Sequence, residues 1–158
     1  MLYTRLIVHF KWHQANFDGA TRDGKSIQAV TIKDHNRVII AAETQASPPV
    51  NAEMAEAMAA LLDVNLAIRM KCSHVIFEGD AAMIIEWMSN TNSSPSWTNF
   101  AVVEETKDKL KSLGCWTFAK VSRFDNIWAH NLTRWADVSN FFGLVPPSSI
   151  ASCLSMEE

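Results

Sequence analysis

The spacing of apolar residues changes from strand-like to helical about one third of the way along the chain. Bulky and polar residues alternate over 12–17 and end at Asp18–Gly19, which predicts a strand that runs into a turn. Two further runs, 26–33 and 38–44, are rich in β-branched residues and flank a short polar stretch, as in a β-hairpin. Three consecutive strands are therefore expected to open the domain.

After the Pro48–Pro49 pair, apolar residues recur at helical spacing, and an Ala- and Leu-rich segment, 51–70, predicts a long helix. The remaining segments alternate between the two patterns: a strand over 73–77, helices over 81–88 and 97–113, a strand over 115–121 and a helix over 126–142. The order β-β-β-α-β-α-α-β-α predicts an α/β fold with a mixed sheet, in which antiparallel strands come first and parallel strands follow through helical crossovers.

The length of 158 residues and the 48% hydrophobic content fit one domain with one sizeable core. We assign residues 12–142 to this domain, 1–11 to an N-terminal extension and 143–158 to a C-terminal tail. The sequence has no apolar run near the roughly 20 residues of a membrane span, no secretory signal pattern and no CxxC motif. An intracellular monomer, cytoplasmic or nuclear, is expected.

The formal net charge of -3, from 14 basic and 17 acidic residues, argues against a basic arm that binds nucleic acid. The acidic excess is local, however. Residues 38–104 hold eight acids against two bases, whereas residues 1–37 and residues 105–134 each hold six bases against three acids. The net charge therefore does not exclude a nucleic-acid partner, because the position of the charges matters more than their sum.

Three carboxylates are predicted to lie near one another. Asp18 follows the first strand, Glu56 lies in the first turns of the long helix, and Asp80 follows the fourth strand. These positions meet at one edge of the sheet if the first and fourth strands are parallel neighbours. Grouped acids raise one another's pKa values unless a cation lies between them, and an all-oxygen ligand set favours Mg²⁺ or Mn²⁺ over zinc. The pattern predicts a metal site.

Each of these acids has an alternative role. Asp18 precedes a glycine and could form a turn, and Asp80 could cap the helix that begins at Ala81, which is compatible with binding a metal. Glu53 lies three residues before Glu56, on a similar face of the helix. We prefer Glu56 because several alanines share its side of the helix and allow the helix to approach the sheet closely.

Four segments carry a family resemblance, and they are Asn-Phe-Asp-Gly-Ala at 16–20, Ala-Glu-Ala-Met-Ala at 55–59, Val-Ile-Phe-Glu-Gly-Asp at 75–80 and Arg-Phe-Asp-Asn-Ile-Trp-Ala-His-Asn-Leu at 123–132. In this order and at these separations they resemble the successive motifs of ribonuclease H. The likeness is greatest to the plant reverse-transcriptase-like ribonuclease H domain of non-LTR retroelements, and it runs from about residue 12 to residue 136.

The resemblance implies a five-stranded mixed sheet flanked by helices. It also implies an endonuclease that cuts the RNA strand of an RNA–DNA hybrid with two Mg²⁺ ions, which Mn²⁺ can replace. Asp18 would then bridge the two ions, and Glu56 and Asp80 would complete their ligand shells. The alternative is a catalytically weak or inactive ribonuclease H-like module from a retroelement that binds nucleic acid or a protein.

The fourth acidic position departs from the family. The family commonly has an aspartate four residues after the motif asparagine, and counting from Asn126 reaches His130. Imidazole is a poor ligand for Mg²⁺ and a better one for Mn²⁺. Three roles are open for His130: a catalytic ligand, a proton shuttle, or a helix residue with no chemical role.

The segment between Met88 and Trp97 contains no Lys/Arg-rich helix that could bind a hybrid. Contacts to nucleic acid are therefore expected elsewhere in the chain. The candidate contacts are Lys120, Arg123 and Asn126. Most tryptophans are expected in the core, and Trp97, in a polar loop, is the candidate for stacking on a base.

Overall fold

A computed structural model describes residues 11–90 and 95–154 of the chain. The predicted N-terminal extension, 1–11, lies outside the described residues except for Lys11, and so do residues 155–158 of the predicted tail. None of the helices in the described part of the chain is both long and apolar enough to cross a membrane.

Six strands form one mixed sheet within the described residues. They are β1 His13–Arg22, β2 Lys25–Lys33, β3 Ile39–Ser47, β4 His74–Gly79, β5 Cys115–Lys120 and β6 Gly143–Leu144. Their order in space is β5-β4-β1-β2-β3-β6, with β1–β4 and β4–β5 parallel and the other pairs antiparallel. The predicted α/β class with a mixed sheet is confirmed, and β6 adds a sixth strand to the five that were expected.

The helices flank this sheet. They are α1 Ala52–Arg69, α2 Ala82–Ser89, α3 Trp97–Leu110, α4 Ile127–Ser139 and α5 Ile150–Leu154, the last preceded by a 3₁₀ turn at Pro147–Ser149. The first four lie within about three residues of the predicted helices. Helix α5 was not predicted, because five residues are too few to show a helical period.

The prediction of a turn at Asp18–Gly19 is wrong. Strand β1 continues through both residues to Arg22, and Asp18 pairs with Ala29 inside the β1–β2 hairpin. The turn lies at Asp23–Gly24, where both residues adopt positive φ, 45° and 78°. A tight two-residue hairpin turn requires this conformation at both positions. Asp18 therefore lies within a strand rather than at its end.

Helix α1 begins at a clear local signal and packs unusually close to β1. The Asn51 side chain accepts a hydrogen bond of 2.8 Å from the Met54 backbone N–H and so caps the helix. A Cβ atom added to Gly19 would lie 2.2 Å from the Ala55 carbonyl oxygen. The absence of a side chain at Gly19 therefore allows the first turns of α1 to touch the middle of β1.

Apolar clusters lie on both faces of the sheet, and the two largest of the three among the described residues are opposite each other. The larger joins α1, α2 and α3 to the sheet and contains Phe17, Phe77 and Leu66. The smaller contains Leu132 of α4 together with Val145 and Cys153. Part of the predicted C-terminal tail thus contributes both a strand that pairs with β3 and side chains to a core.

Asp63 of α1 is an acid buried among apolar side chains. It is fully buried, and neither of its carboxylate oxygens has a hydrogen-bond partner within the described part of the chain. Burial raises the pKa of Asp63 well above its usual range. Above about pH 4 the Asp63 carboxyl loses its proton in the unfolded state but keeps it in the folded state. The free energy of unfolding therefore falls as the pH rises from about 4 to the folded-state pKa of Asp63.

We expect Asp63→Ala to raise the free energy of unfolding at pH 8 by about 1–3 kcal/mol, because it removes an unsatisfied buried carboxyl group. The gain should be smaller at pH 5. Urea unfolding at both pH values measures it. Asp108→Ala is the control, since Asp108 is an exposed helical acid, and it should change stability by about 0.5 kcal/mol or less. A gain of equal size at both pH values would contradict the titration of Asp63.

Candidate metal centre

The three predicted ligands come together in the structure. Asp18, Glu56 and Asp80 each offer a carboxylate oxygen, and the three oxygens lie within 4.8 Å of one another. Strands β1 and β4 are parallel, with Asn16 opposite Glu78, so Asp80 comes level with Asp18 two residues further along. Parallel pairing of these strands therefore brings two of the three acids to the same place.

The third acid is supplied by the close approach of α1 to Gly19. Glu56 follows Ala55 on the turn that touches Gly19, and the Gly19 backbone makes a hydrogen bond to the Glu56 carboxylate. The alternative ligand, Glu53, is exposed and lies 3.4 Å from the side-chain nitrogen of Asn99, outside this group of three acids. The structure thus places Glu56, and not Glu53, beside Asp18.

Burial and mutual repulsion dominate the electrostatics of the three acids. Burial, and then the charges of Asp18 and Asp80, raise the pKa of Glu56 to about 9. Burial and the charge of Asp18 also raise the pKa of Asp80, against the opposing effects of Arg123 and His130. The three carboxylates therefore cannot all be ionised at neutral pH unless a cation lies among them.

The chemistry of the donor set fits a divalent cation. The Oε2 atom of Glu56 is buried and has no hydrogen-bond partner among the described residues. A cation between the acids would satisfy this oxygen and remove the repulsion that raises the pKa values. Three carboxylate ligands without nitrogen or sulfur suit a hard ion such as Mg²⁺ or Mn²⁺.

The fourth position, His130, lies against the cluster on α4. Its side chain is buried, with Nδ1 3.6 Å from Asp18 Oδ2, and Arg123 Nη2 lies 3.0 Å from its Nε2. The Thr133 hydroxyl oxygen, almost one helical turn further on, lies 3.0 Å from Asp18 Oδ2 and 2.6 Å from the His130 carbonyl oxygen, so its single proton can be donated to either acceptor. Thr133 was missed in the sequence, because a helical threonine carries no signal until α4 is seen to lie over β1.

The three candidate nucleic-acid contacts occupy different environments. Lys120 ends β5 and Arg123 follows in the next loop, and both are exposed. Asn126 is only 1% exposed. Its amide nitrogen donates to the Phe17 carbonyl at 2.9 Å, and its oxygen accepts from the Asn16 amide at 3.0 Å. Asn126 thus fastens the start of α4 to β1, and its burial leaves little surface for a contact with nucleic acid.

The tryptophans are less uniformly buried than expected. Trp87 is buried, but Trp128, at the start of α4, is 37% exposed, with Lys33 Nζ 4.9 Å from the centre of its ring. Trp97 is exposed and forms the first residue of α3 rather than part of a loop. Trp128 therefore adds an accessible aromatic surface that the sequence did not indicate.

The family model described as reverse transcriptase-like matches residues 16–136, a range that contains the three acids and His130. A comparison with curated protein sequences finds no match.

Solved structures of ribonuclease H domains share the fold of this chain. Ribonuclease H1 from the halophilic archaeon Halobacterium salinarum NRC-1 superposes with a TM-score of 0.75 at 17% identity, over 81% of this chain and 98% of that one. The N-terminal ribonuclease H domain of a Mycobacterium tuberculosis protein gives a TM-score of 0.75 at 15% identity, over 82% and 95%.

A third similar structure is LC11-RNase H1, isolated from compost by a metagenomic approach and solved in complex with an RNA/DNA hybrid. Its TM-score is 0.72 at 15% identity, over 82% of this chain and 99% of that one. Identities this low establish the fold alone, whereas the family match covers most of the chain. The chain therefore belongs to the reverse transcriptase-like family and has the fold of a ribonuclease H domain.

Proposed function

We propose that the protein is a metal-dependent endonuclease that hydrolyses the RNA strand of RNA–DNA hybrids. The observation that carries this proposal is the group of three carboxylates, Asp18, Glu56 and Asp80, whose oxygens lie within 4.8 Å of one another at the meeting point of β1, β4 and α1. The fold supports the proposal, since LC11-RNase H1, a protein of this fold, is a ribonuclease H solved in complex with an RNA/DNA hybrid.

Asp18, Glu56 and Asp80 would hold two Mg²⁺ ions. Bound divalent ions supply a water of lowered pKa as nucleophile and neutralise charge on the departing oxygen. The protein's part is to hold the ligand oxygens in place. The Gly19 backbone orients Glu56, and the Thr133 hydroxyl orients Asp18 when its proton is directed to Asp18 rather than to the His130 carbonyl oxygen. Such supporting hydrogen bonds are worth about 10- to 100-fold in metal affinity or activity.

Arg123 and His130 place polar groups at the edge of the cluster. The Arg123 guanidinium is exposed and close enough to Asp80 to oppose the rise of its pKa, so it can contact a phosphate of the substrate beside the acids. His130 lies between Arg123 and Asp18. From this position its ring can hold or transfer a proton next to the reacting phosphate.

Cleavage of a labelled RNA–DNA hybrid tests the function. The hybrid is incubated with the protein in Mg²⁺, in Mn²⁺ and with a chelator, beside single-stranded and double-stranded RNA of the same sequence. We expect shorter RNA fragments from the hybrid only, and none with the chelator. If the hybrid stays intact in both metals, the proposed nuclease function is wrong.

The alternative is a module that binds hybrids without cutting them. The observation that favours it is His130, because an imidazole stands where the family commonly has an oxygen ligand. Binding of the intact hybrid, with no cleavage in either metal, would support this alternative.

We expect His130→Asp to raise the Mg²⁺-dependent rate by about tenfold, because an additional carboxylate next to Asp18 completes an all-oxygen ligand set. Initial rates of hybrid cleavage in Mg²⁺ and in Mn²⁺ measure the effect, and the increase should be larger in Mg²⁺. His130→Asn is the matched control, since it has a similar shape without the charge. A ligand role for position 130 is excluded if the Asp variant is no faster than the Asn variant.

A further inference from the structure

A groove lies beside the acidic cluster, between the β2–β3 turn (residues 34–38) and the β5–α4 loop (residues 121–126). It consists of two adjoining cavities of about 470 and about 370 Å³, whose linings share Lys33, Arg37 and Asp125. Lys33 pairs with Gln14, four residues before Asp18 on β1. At about 3.3 Å per residue, this end of the groove lies about 13 Å from Asp18. Asn16 and Glu78 also line the groove and lie only about 7 Å along their strands from Asp18 and Asp80.

The groove is where the two base-rich stretches of the chain meet. Lys33 and Arg37 come from residues 1–37, and Lys120 comes from residues 105–134. Two acids, Glu78 and Asp125, also line it. Three bases, Lys33, Arg37 and Lys120, thus face two acids in the groove. The groove is therefore suited to an anionic ligand.

Two accessible aromatic rings line the second cavity of the groove. Phe124 is 82% exposed in the β5–α4 loop, and Trp128, the second residue of α4, is 37% exposed. Neighbouring large apolar side chains on a surface mark a binding site more often than chance exposure does. Aromatic faces next to basic side chains are the means by which proteins hold unpaired bases and the phosphates that join them.

We propose that this groove binds single-stranded nucleic acid, in the form of the unpaired strand that continues from a hybrid held at the acidic cluster. Phe124 and Trp128 stack on its bases, and Arg37 and Lys120 contact its phosphates. The inference rests on the proposed function in one respect, namely that a hybrid binds at the acidic cluster. The bases of a duplex cover one another's faces, so only an unpaired strand can offer them to Phe124. Distances of about 7 to 13 Å from the acids correspond to about two to four stacked nucleotides at 3.4 Å each.

Fluorescence anisotropy with a labelled eight-nucleotide DNA or RNA strand tests the groove directly, without a hybrid. We expect Phe124→Ala to weaken binding about tenfold, as for the loss of one stacked base. We expect Lys120→Ala to reduce the slope of log affinity against log salt by about one, as for the loss of one phosphate contact. Circular dichroism checks that the Phe124→Ala and Lys120→Ala variants are folded.

Matched controls come from the same protein. Val138→Ala removes a side chain that is 77% exposed on α4 and absent from the linings of both cavities, and Lys111→Ala removes an exposed lysine at the end of α3. Both should bind the single strand as the unaltered protein does. In a second arm, a hybrid with a single-stranded extension of six nucleotides should bind more tightly than the blunt hybrid, and Phe124→Ala should abolish the difference.

The outcomes separate this inference from the proposed function. If the protein binds no single strand, or if Phe124→Ala binds it as tightly as the unaltered protein, the inference is overturned, whether or not the hybrid is cleaved. If Phe124→Ala weakens single-strand binding while the hybrid is left intact in both metals, the groove assignment stands and the proposed nuclease function fails.

Discussion

Asp18→Asn should abolish the cleavage of RNA–DNA hybrids, with a fall in rate of about 10³-fold or more, or about 4 kcal/mol of transition-state stabilisation. The substitution keeps the shape of the side chain but removes a charge that lies within 4.8 Å of both other acids and 3.6 Å from His130 Nδ1. The initial rate of cleavage of a labelled hybrid in Mg²⁺ measures the loss.

The same substitution should make the protein more stable in the absence of metal. The charge of Asp18 raises the pKa values of Glu56 and Asp80, and its removal relieves this repulsion. We therefore expect Asp18→Asn to unfold at a higher urea concentration than the unaltered protein in a chelator, and to gain less stability from Mg²⁺. Lost activity together with increased stability distinguishes a missing ligand from a misfolded protein.

Asp137→Asn provides the control. Asp137 also lies on α4, but it pairs with Lys25 at 3.4 Å and is not part of the acidic cluster. Its variant should cleave at the rate of the unaltered protein. Normal cleavage by Asp18→Asn would remove Asp18 from the proposed ligands.

The second large effect is expected at Gly19. A Cβ atom there would lie 2.2 Å from the Ala55 carbonyl oxygen and 2.7 Å from the Glu56 backbone nitrogen. Both are backbone atoms, so the clash can be relieved only by moving α1 away from β1. We expect Gly19→Ala to lower the free energy of unfolding by about 3 kcal/mol and to abolish cleavage, because the movement carries Glu56 away from Asp18. Urea unfolding and the hybrid cleavage assay measure the two effects.

Gly24→Ala separates this steric effect from the general cost of replacing a glycine. Gly24 lies in the β1–β2 turn at φ 78°, and an added Cβ would meet no atom within 4 Å. The variant should therefore show only the strain of a left-handed alanine, about 1 kcal/mol, with cleavage retained. Equal losses of stability at the two glycines would mean that α1 can shift at little cost.

The sequence alone predicted those elements in which several local signals agree. The helix predicted over 51–70 is α1, Ala52–Arg69, because a proline pair, an N-cap and a long helical period all act within the segment itself. The sequence analysis also grouped Asp18 with Asp80 on the assumption that the first and fourth strands are parallel neighbours. The structure shows this pairing, which brings the two residues to the same level of the sheet. The end of β1 was misplaced, because Asp18–Gly19 and Asp23–Gly24 are the same dipeptide and only the pairing with β2 distinguishes them.

The sequence therefore predicted the class of fold and the order of most elements, which depend on residue type and short-range spacing. It also predicted the three acids of the candidate metal site, through the expected pairing of the first and fourth strands and the family resemblance. The approach of α1 to Gly19, the hydrogen bond from Thr133 and the groove lined by Phe124 and Trp128 became visible only in the folded chain. These features join residues that are far apart in sequence. Their positions depend on how helices dock on the sheet, and such long-range packing leaves no periodic trace in any single segment.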